Sequence, residues 1–176
     1  TKLRASDGAC AGVVNPVNMS ACTFDVGANP QGLAFDGANI WVANQDGNNV
    51  SKLRASDGAP QPGSPFAVGS LPQGVAFDGA NIWVTNFSSS NVSKLRASDG
   101  ALLGTFAVGA HPSGIAFDGA NIWVNRDAFS GNTVSKLRAS DGTLLGTFAV
   151  GAGFGVAFDG ANIWVTNLGS NTVSKL

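Results

Sequence analysis

The sequence predicts an all-β fold of four near-identical blades, and three observations carry that prediction. The string AFDGANIWV occurs four times, at Ala34–Val42, Ala76–Val84, Ala116–Val124 and Ala157–Val165. The string KLRASDG begins at Lys2, Lys52, Lys94 and Lys136, and a truncated SKL ends at Leu176. Successive lysines from Lys2 to Lys175 stand 50, 42, 42 and 39 residues apart, the period of a four-stranded repeat unit. No ten-residue stretch carries the 3.6-residue apolar spacing of a helix.

Each unit reads as four short strands, and the third unit illustrates them in order. Gly114–Asp118 alternates small and large side chains, the period-two signal of a strand. Asp118-Gly119-Ala120-Asn121 is a hairpin turn, because glycine takes a positive φ without steric cost. Asn121–Val124 is rich in β-branched and aromatic residues, which favour strands. A loop of small and polar residues follows, then a third strand over Val134–Ser140. Asp141-Gly142 turns the chain into the last strand, Thr143–Val150.

The 176 residues form one repeat domain, with units at roughly 1–50, 51–92, 93–134 and 135–176. Length changes fall in loops: an insertion around Cys10–Cys22, a proline-rich bulge over Pro60–Pro65, two extra residues in Arg126–Gly131, and a shorter Gly153-Phe154-Gly155. Both faces of each meander are apolar, as in Ile122 and Val124 against Trp123. Radial packing of blades buries both faces, so the prediction is a β-propeller rather than a stacked solenoid. Trp41, Trp83, Trp123 and Trp164, with Phe35, Phe77, Phe117 and Phe158, are then expected to be core between blades. The chain starts and ends inside the third strand of a unit. That phase fits a ring closed within one chain by its N-terminal segment. It also fits two chains forming an eight-bladed ring, or a piece of a longer array.

Composition narrows the chemistry. Hydrophobic residues make up 44 %, enough for a core, and charged residues only 12 %, with a net charge of −1. Nothing here attracts nucleic acid or a membrane surface, and no run of 18 apolar residues predicts a membrane-spanning helix. All 11 acidic residues are aspartate, there is no tyrosine, and His111 is the one histidine. Cys10 and Cys22 are expected to pair as a disulfide closing one loop, which places the chain outside the cytosol. The chain begins at Thr1 with no signal peptide, which fits a processed secreted chain or a fragment of something longer, and sequons stand at Asn18, Asn49, Asn86 and Asn91.

The pattern P-x-G-[LVI]-A-F-D-G-A-N-I-W-V-[AT]-N-x-x-x-x-N-x-V-S-K-L resembles the bacterial YVTN/NHL type of propeller repeat, with IWVTN at Ile82–Asn86 and Ile163–Asn167 in the place of YVTN. The repeats are also similar to those of virginiamycin B lyase-like proteins. The resemblance covers nearly the whole chain apart from the Cys10–Cys22 segment and implies a propeller. The lyases use His and Glu residues with a divalent ion. With no Glu and one His, this chain offers no position onto which those catalytic residues transfer.

The candidate site is the loop face. The loops after the tryptophan strands are Asn44–Asn49, Asn86–Asn91, Arg126–Gly131 and Asn167–Asn171, and they cluster with the loops holding Asn29, Gln73, His111 and Phe154. Amides and hydroxyls beside aromatic rings suit sugars or peptide backbones, and rigid scaffolds carry binding residues on such loops. Asn44, Asn86, Phe87, His111, Arg126, Asp127, Phe129 and Asn167 are the candidate ligand contacts. Asp36, Asp78, Asp118 and Asp159 read as turn formers rather than a cation ring. The repeated pairs Lys52 and Arg54, Lys94 and Arg96, and Lys136 and Arg138 read as a solvated rim that discourages edge-to-edge pairing.

The expectation is therefore a secreted or surface-exposed scaffold, not an enzyme, with no cofactor and no metal. It binds a protein, peptide or glycan and exists as a monomer or homodimer. A structural protein joined through its repeat ends is the second reading, and a lyase-like enzyme the third.

Overall fold

The computed structural model describes residues 23–126 and 131–176. Among them are fifteen strands in four antiparallel sheets, each running in chain order, and no helix. The first sheet holds β1 (Pro30–Phe35), β2 (Asn39–Asn44), β3 (Asn49–Arg54) and β4 (Phe66–Ala67). The second holds β5 (Pro72–Phe77), β6 (Asn81–Asn86), β7 (Asn91–Arg96) and β8 (Leu102–Ala107). The third holds β9 (Pro112–Phe117), β10 (Asn121–Arg126), β11 (Thr133–Arg138) and β12 (Leu144–Ala149). The fourth holds β13 (Gly153–Phe158), β14 (Ile163–Asn167) and β15 (Thr172–Lys175). These are four successive blades of a β-propeller. The Cys10–Cys22 pair lies outside the described residues.

Local chemistry fixes each hairpin. Asp78 Oδ1 accepts the backbone N–H of Ala80 at 2.9 Å and of Asn81 at 2.7 Å, and Gly79 between them has φ of 99°. A side chain at that φ is strained, which is why every copy of the turn reads Asp-Gly. The same bonds recur at Asp36, Asp118 and Asp159. The proline-rich stretch explains the short β4. Pro60, Pro62 and Pro65 lack the N–H a ladder needs, so β4 pairs with β3 at Asn49↔Ala67 and Val50↔Phe66 and the rest of the stretch adds one isolated bridge, Leu53↔Pro60.

The innermost strands β1, β5, β9 and β13 lie side by side in that order. Each carries a bulge near its start. In β5 the bulged Gly74 donates its N–H to Thr85 Oγ1 at 2.7 Å, and Thr85 Oγ1 donates onward to Ser113 O of β9 at 2.8 Å. Asn125 and Thr166 accept from Gly114 and Gly155 in the same way. A Cβ on Gly74 would collide with the Ser113 carbonyl, so only glycine lets the central strands approach this closely.

The core is made between sheets. Trp41, Ala43 and Val50 of the first sheet pack on Val75, Ile82, Val84 and Leu95 of the second. Trp83 and Val92 pack on Ile122, Val124 and Leu137 of the third. Trp123 and Val134 pack on Ile163 and Val165 of the fourth. The tryptophan face of one sheet thus always meets the Ile/Val/Leu face of the next. Truncating a buried tryptophan to alanine costs about 3–5 kcal/mol.

Among the described residues the array is open at its ends. No packing comparable to that between other neighbouring sheets joins β13 to β1. This corrects the expectation that all four tryptophans, with Phe35, Phe77, Phe117 and Phe158, are core between blades. Trp41 and Trp83 are fully buried, whereas Trp164 is 36 % exposed, and Phe35 and Phe158 are also exposed. The reason is position: the first and last sheets each lack one neighbour.

The basic pairs also divide. Arg54, Arg96 and Arg138 are exposed and paired with Asp57, Asp99 and Asp141 at 2.8–2.9 Å, as a solvated rim requires. Lys52 and Lys94 are instead buried. Lys52 Nζ lies 5.0 Å from the Trp41 ring centroid and donates to the carbonyls of Ala97 and Ser98 in the next sheet, at 2.7 and 3.1 Å. Lys94 does the same with Trp83, Ala139 and Ser140. The aliphatic stem covers the indole while the ammonium reaches bare carbonyls, and the charge ties two sheets together.

Candidate functional site

The hairpin loops β2–β3, β6–β7 and β14–β15, the described part of β10–β11, and the segments entering β1, β5, β9 and β13 gather on one face. Their backbone is stitched. Gln45 N–H donates to Asn29 O at 2.9 Å, Phe87 N–H to Leu71 O at 3.0 Å, and Leu168 N–H to Ala152 O at 2.7 Å. Each bond ties a hairpin loop to the segment that enters the same sheet. Asn29, Leu71 and His111 hold φ of 55°, 52° and 51°, a region that costs a non-glycine residue about 1–2 kcal/mol. Each precedes a proline, which disfavours the helical alternative.

Other contacts cross between sheets. Leu71 N–H of the second sheet donates to Asn48 Oδ1 of the first at 2.9 Å. Phe87 of the second stacks on His111 of the third, with ring centroids 4.5 Å apart and planes 17° from parallel. Side chains fill the spaces: Asn29 Nδ2 donates to Gln45 Oε1 at 2.8 Å, Gln31 Nε2 to Asn29 Oδ1 at 2.8 Å, and Ser70 N–H to Ser89 Oγ at 2.8 Å. The face is a set of amides and hydroxyls held in fixed positions around an aromatic stack.

The candidate contacts occupy different depths. His111 is exposed and Phe87 half-buried, so the stack presents an accessible aromatic edge. Arg126 is half-buried and donates Nε–H to Thr133 Oγ1 at 2.8 Å. Asn44, Asn86 and Asn167 are buried beneath the loops. Asn86 Nδ2 donates to Asn91 Oδ1 and Ser93 Oγ at 2.8 and 2.9 Å, and Asn44 and Asn167 repeat the arrangement. Their geometry brackets the base of each hairpin. Asp127 and Phe129 lie outside the described residues.

Sequence reasoning missed exposed Leu168, which, like Phe154, adds apolar surface on the fourth sheet. Its place in the Asn167–Asn171 loop was the available signal.

The opposite rim carries the Asp-Asn-Trp clusters. Burial pushes the Asp78 carboxyl upward. Hydrogen bonds from the Trp83 indole, the Ala80 N–H and Asn81 outweigh it and hold the group below the usual range. Asp36 and Asp118 are lowered for the same reasons. A carboxylate so committed to three donors has little left to offer a cation. Among the described residues no group of three His, Cys, Asp or Glu side chains is placed to hold a metal ion.

No family model and no curated protein sequence matches the chain. Solved structures do. Hydrazine synthase of Kuenenia stuttgartiensis aligns at a TM-score of 0.76 and 21 % identity, over 89 % of this chain and 48 % of that one. Catalytically inactive virginiamycin B lyase from Staphylococcus aureus, solved with quinupristin, aligns at 0.70 and 20 % identity, over 93 % and 54 %. The computationally designed Ika4 protein aligns at 0.72 and 12 % identity, over 88 % and 94 %. The chain spans about half the length of the two natural proteins and nearly all of the designed one. At these identities the likeness is one of fold: the chain is a β-propeller repeat whose structural neighbours include virginiamycin B lyase-like propellers.

Proposed function

We propose that the chain is a non-enzymatic, extracellular scaffold that binds a peptide or glycan through its loop face. The observation that carries this reading is the Phe87–His111 stack, which joins the loops of two neighbouring sheets at 4.5 Å and stands among fixed amides and hydroxyls. An aromatic edge flanked by preset hydrogen-bonding groups suits a sugar ring or an extended backbone, because little ordering is left to do on binding. Site chemistry rather than fold carries function. The Glu-free composition and the committed aspartates support binding over acid–base chemistry. The expected Cys10–Cys22 disulfide supports an oxidising location.

The test is a glycan array and a random-peptide panel probed with the intact chain, followed by calorimetry on the best hit. Saturable binding that falls at least tenfold in Phe87→Ala and His111→Ala, with the β-sheet circular dichroism unchanged, is the expected result. Binding that survives both substitutions, or no hit in either panel, overturns it.

A further inference from the structure

The first two junctions inside the chain are built from the same four parts, and the third shares its tryptophan–phenylalanine pair and its buried valine. A tryptophan of one sheet meets a phenylalanine of that sheet's outer strand, with centroids 5.4–5.5 Å apart in Trp41–Phe66, Trp83–Phe106 and Trp123–Phe148. That phenylalanine lies against a turn glycine of the next sheet, Phe66 on Gly100 and Phe106 on Gly142. A lysine crosses to the next sheet's carbonyls, Lys52 to Ala97 and Lys94 to Ala139. A valine, Val50, Val92 or Val134, completes the apolar contact and is fully buried.

The two open ends carry the two halves of a fourth junction. The last sheet presents Trp164, with Lys175 Nζ 5.4 Å from its ring centroid, and Val173, which is 57 % exposed although its three counterparts are fully buried. This sheet has three strands where the others have four, so the outer edge of β15 has no described partner. The first sheet presents Leu33, 64 % exposed although its counterpart Val75 is buried, at the rim of a hollow that half-buried Ile40 and buried Val42 and Leu53 also line. Phe24 and Val26 flank that face in an open apolar hollow.

Phe24 identifies the match. Thr23-Phe24-Asp25-Val26-Gly27 repeats Thr105–Gly109 and Thr147–Gly151, which contain the ends of β8 and β12. Phe24 lies against Gly58 as Phe66 lies against Gly100. It therefore stands where the outer strand of a sheet preceding the first would stand, yet Thr23–Val26 belongs to no strand.

We propose that these faces join a second copy of this chain head to tail. The last sheet of one copy docks on the first sheet of the other, and Thr23–Val26 of the second copy enters as the fourth strand beside β15. Phe24 pairs with Val173 in the register of Phe66 with Val50 and packs on Trp164. Lys175 reaches the carbonyl of Ala55, the counterpart of Ala97. The occupant is set by continuity: one copy carries both halves of a junction that it already forms twice in full and once in part. Among the described residues the two halves do not meet within one chain, because no packing comparable to that between neighbouring sheets joins β13 to β1. A head-to-tail contact repeats until it closes, and two such arcs closing on each other give an eight-bladed ring. The loop-face reading does not depend on this.

Native mass spectrometry and sedimentation of the intact chain across a dilution series test it. The expected species has twice the 17.7 kDa of one chain. Leu33→Arg and Val173→Arg both lie on exposed positions, and each is expected to abolish the doubled species with circular dichroism unchanged. Mixing the two variants restores it, because one of the two junctions then has no substitution. A monomer at every concentration, a ladder of larger masses, or a dimer indifferent to both variants overturns the proposal. So does a mixture that stays monomeric, since an interface using the same patch twice would behave that way.

Discussion

The indole N–H of Trp83 donates to Asp78 Oδ2 at 2.8 Å, across the hairpin that links β5 to β6. The same bond appears in every blade, at Trp41–Asp36, Trp123–Asp118 and Trp164–Asp159, within 2.7–2.8 Å. It joins turn chemistry to core packing. The carboxylate that shapes the Asp-Gly turn also satisfies the one polar atom of the indole that fills the space to the next sheet. A buried indole N–H without a partner carries a desolvation penalty, so the turn residue and the core residue are selected together.

This bond makes the Asp78 carboxylate a stability determinant with a defined pH range. Its pKa in the fold is lowered, so the charged form is the one the fold prefers. The contribution is complete above the unfolded value of about 3.9 and is lost as pH falls through the lower folded value. Asp78→Ala is expected to destabilise the chain by about 1.5–3 kcal/mol at pH 7, the range for a hydrogen bond to a charged group. Asp78→Asn is expected to lose less, and its deficit against the parent shrinks between pH 4 and pH 2. Urea unfolding followed by tryptophan fluorescence at a series of pH values checks the sign. A deficit that grows on acidification contradicts it.

Much of this architecture was legible in the sequence, because the repeats are nearly verbatim and each strand is bounded by an Asp-Gly turn. That both faces of each blade are apolar followed from alternation, whereas the meeting of the tryptophan face with the next blade's Ile/Val/Leu face is set by packing. Lys52 was not legible: a lysine beside an arginine on an outer strand reads as rim. Its burial depends on the neighbouring sheet presenting the Ala97 and Ser98 carbonyls, a contact across 45 residues. The exposure of Trp164 was equally hidden, since its local sequence matches Trp83 and only the missing neighbour differs. In the site, Phe87 and His111 were separate entries of two loops, and only the register of adjacent blades brings them into a stack.

Lys94 should therefore behave as a core residue. Lys94→Met keeps the stem over Trp83 and removes the ammonium, leaving the Ala139 carbonyl, now bonded at 2.7 Å, without this donor. The expected cost is about 1–3 kcal/mol, the range for a buried acceptor that loses its partner. Arg96→Met, on an exposed pair, is expected to cost under about 1 kcal/mol. Chemical denaturation of the two variants side by side separates a buried tie from a rim charge. Equal effects would return Lys94 to the rim.

The bridge through Thr85 makes a sharper demand. Its hydroxyl accepts from Gly74 and donates to Ser113 O, so one oxygen holds a bulge and two central strands. Thr85→Val preserves shape and burial but leaves a part-buried N–H and a buried C=O without this partner, at an expected cost of about 1–3 kcal/mol. Hydrogen exchange at Gly74 should accelerate in the variant while exchange in the outer strand β8 does not. Uniform acceleration would mean global destabilisation rather than a local bridge.

Leu71 offers a gain instead. It sits at φ of 52° before Pro72, where the first unit has Asn29 at φ of 55°. Asparagine tolerates that region better than leucine, because its short polar side chain bonds locally. The Leu71 side chain belongs to no apolar cluster of the core, so little packing is lost on replacing it. Leu71→Asn is expected to stabilise the chain by about 0.5–1 kcal/mol, within the range found for relieving backbone strain, and to raise the melting temperature by a few degrees. The backbone bond from Phe87 N–H to Leu71 O does not involve the side chain, so the loop keeps its course and the Phe87–His111 stack stays in place. Differential scanning calorimetry reads the shift directly. A lower melting temperature would mean that the leucine side chain contributes contacts that outweigh its backbone strain.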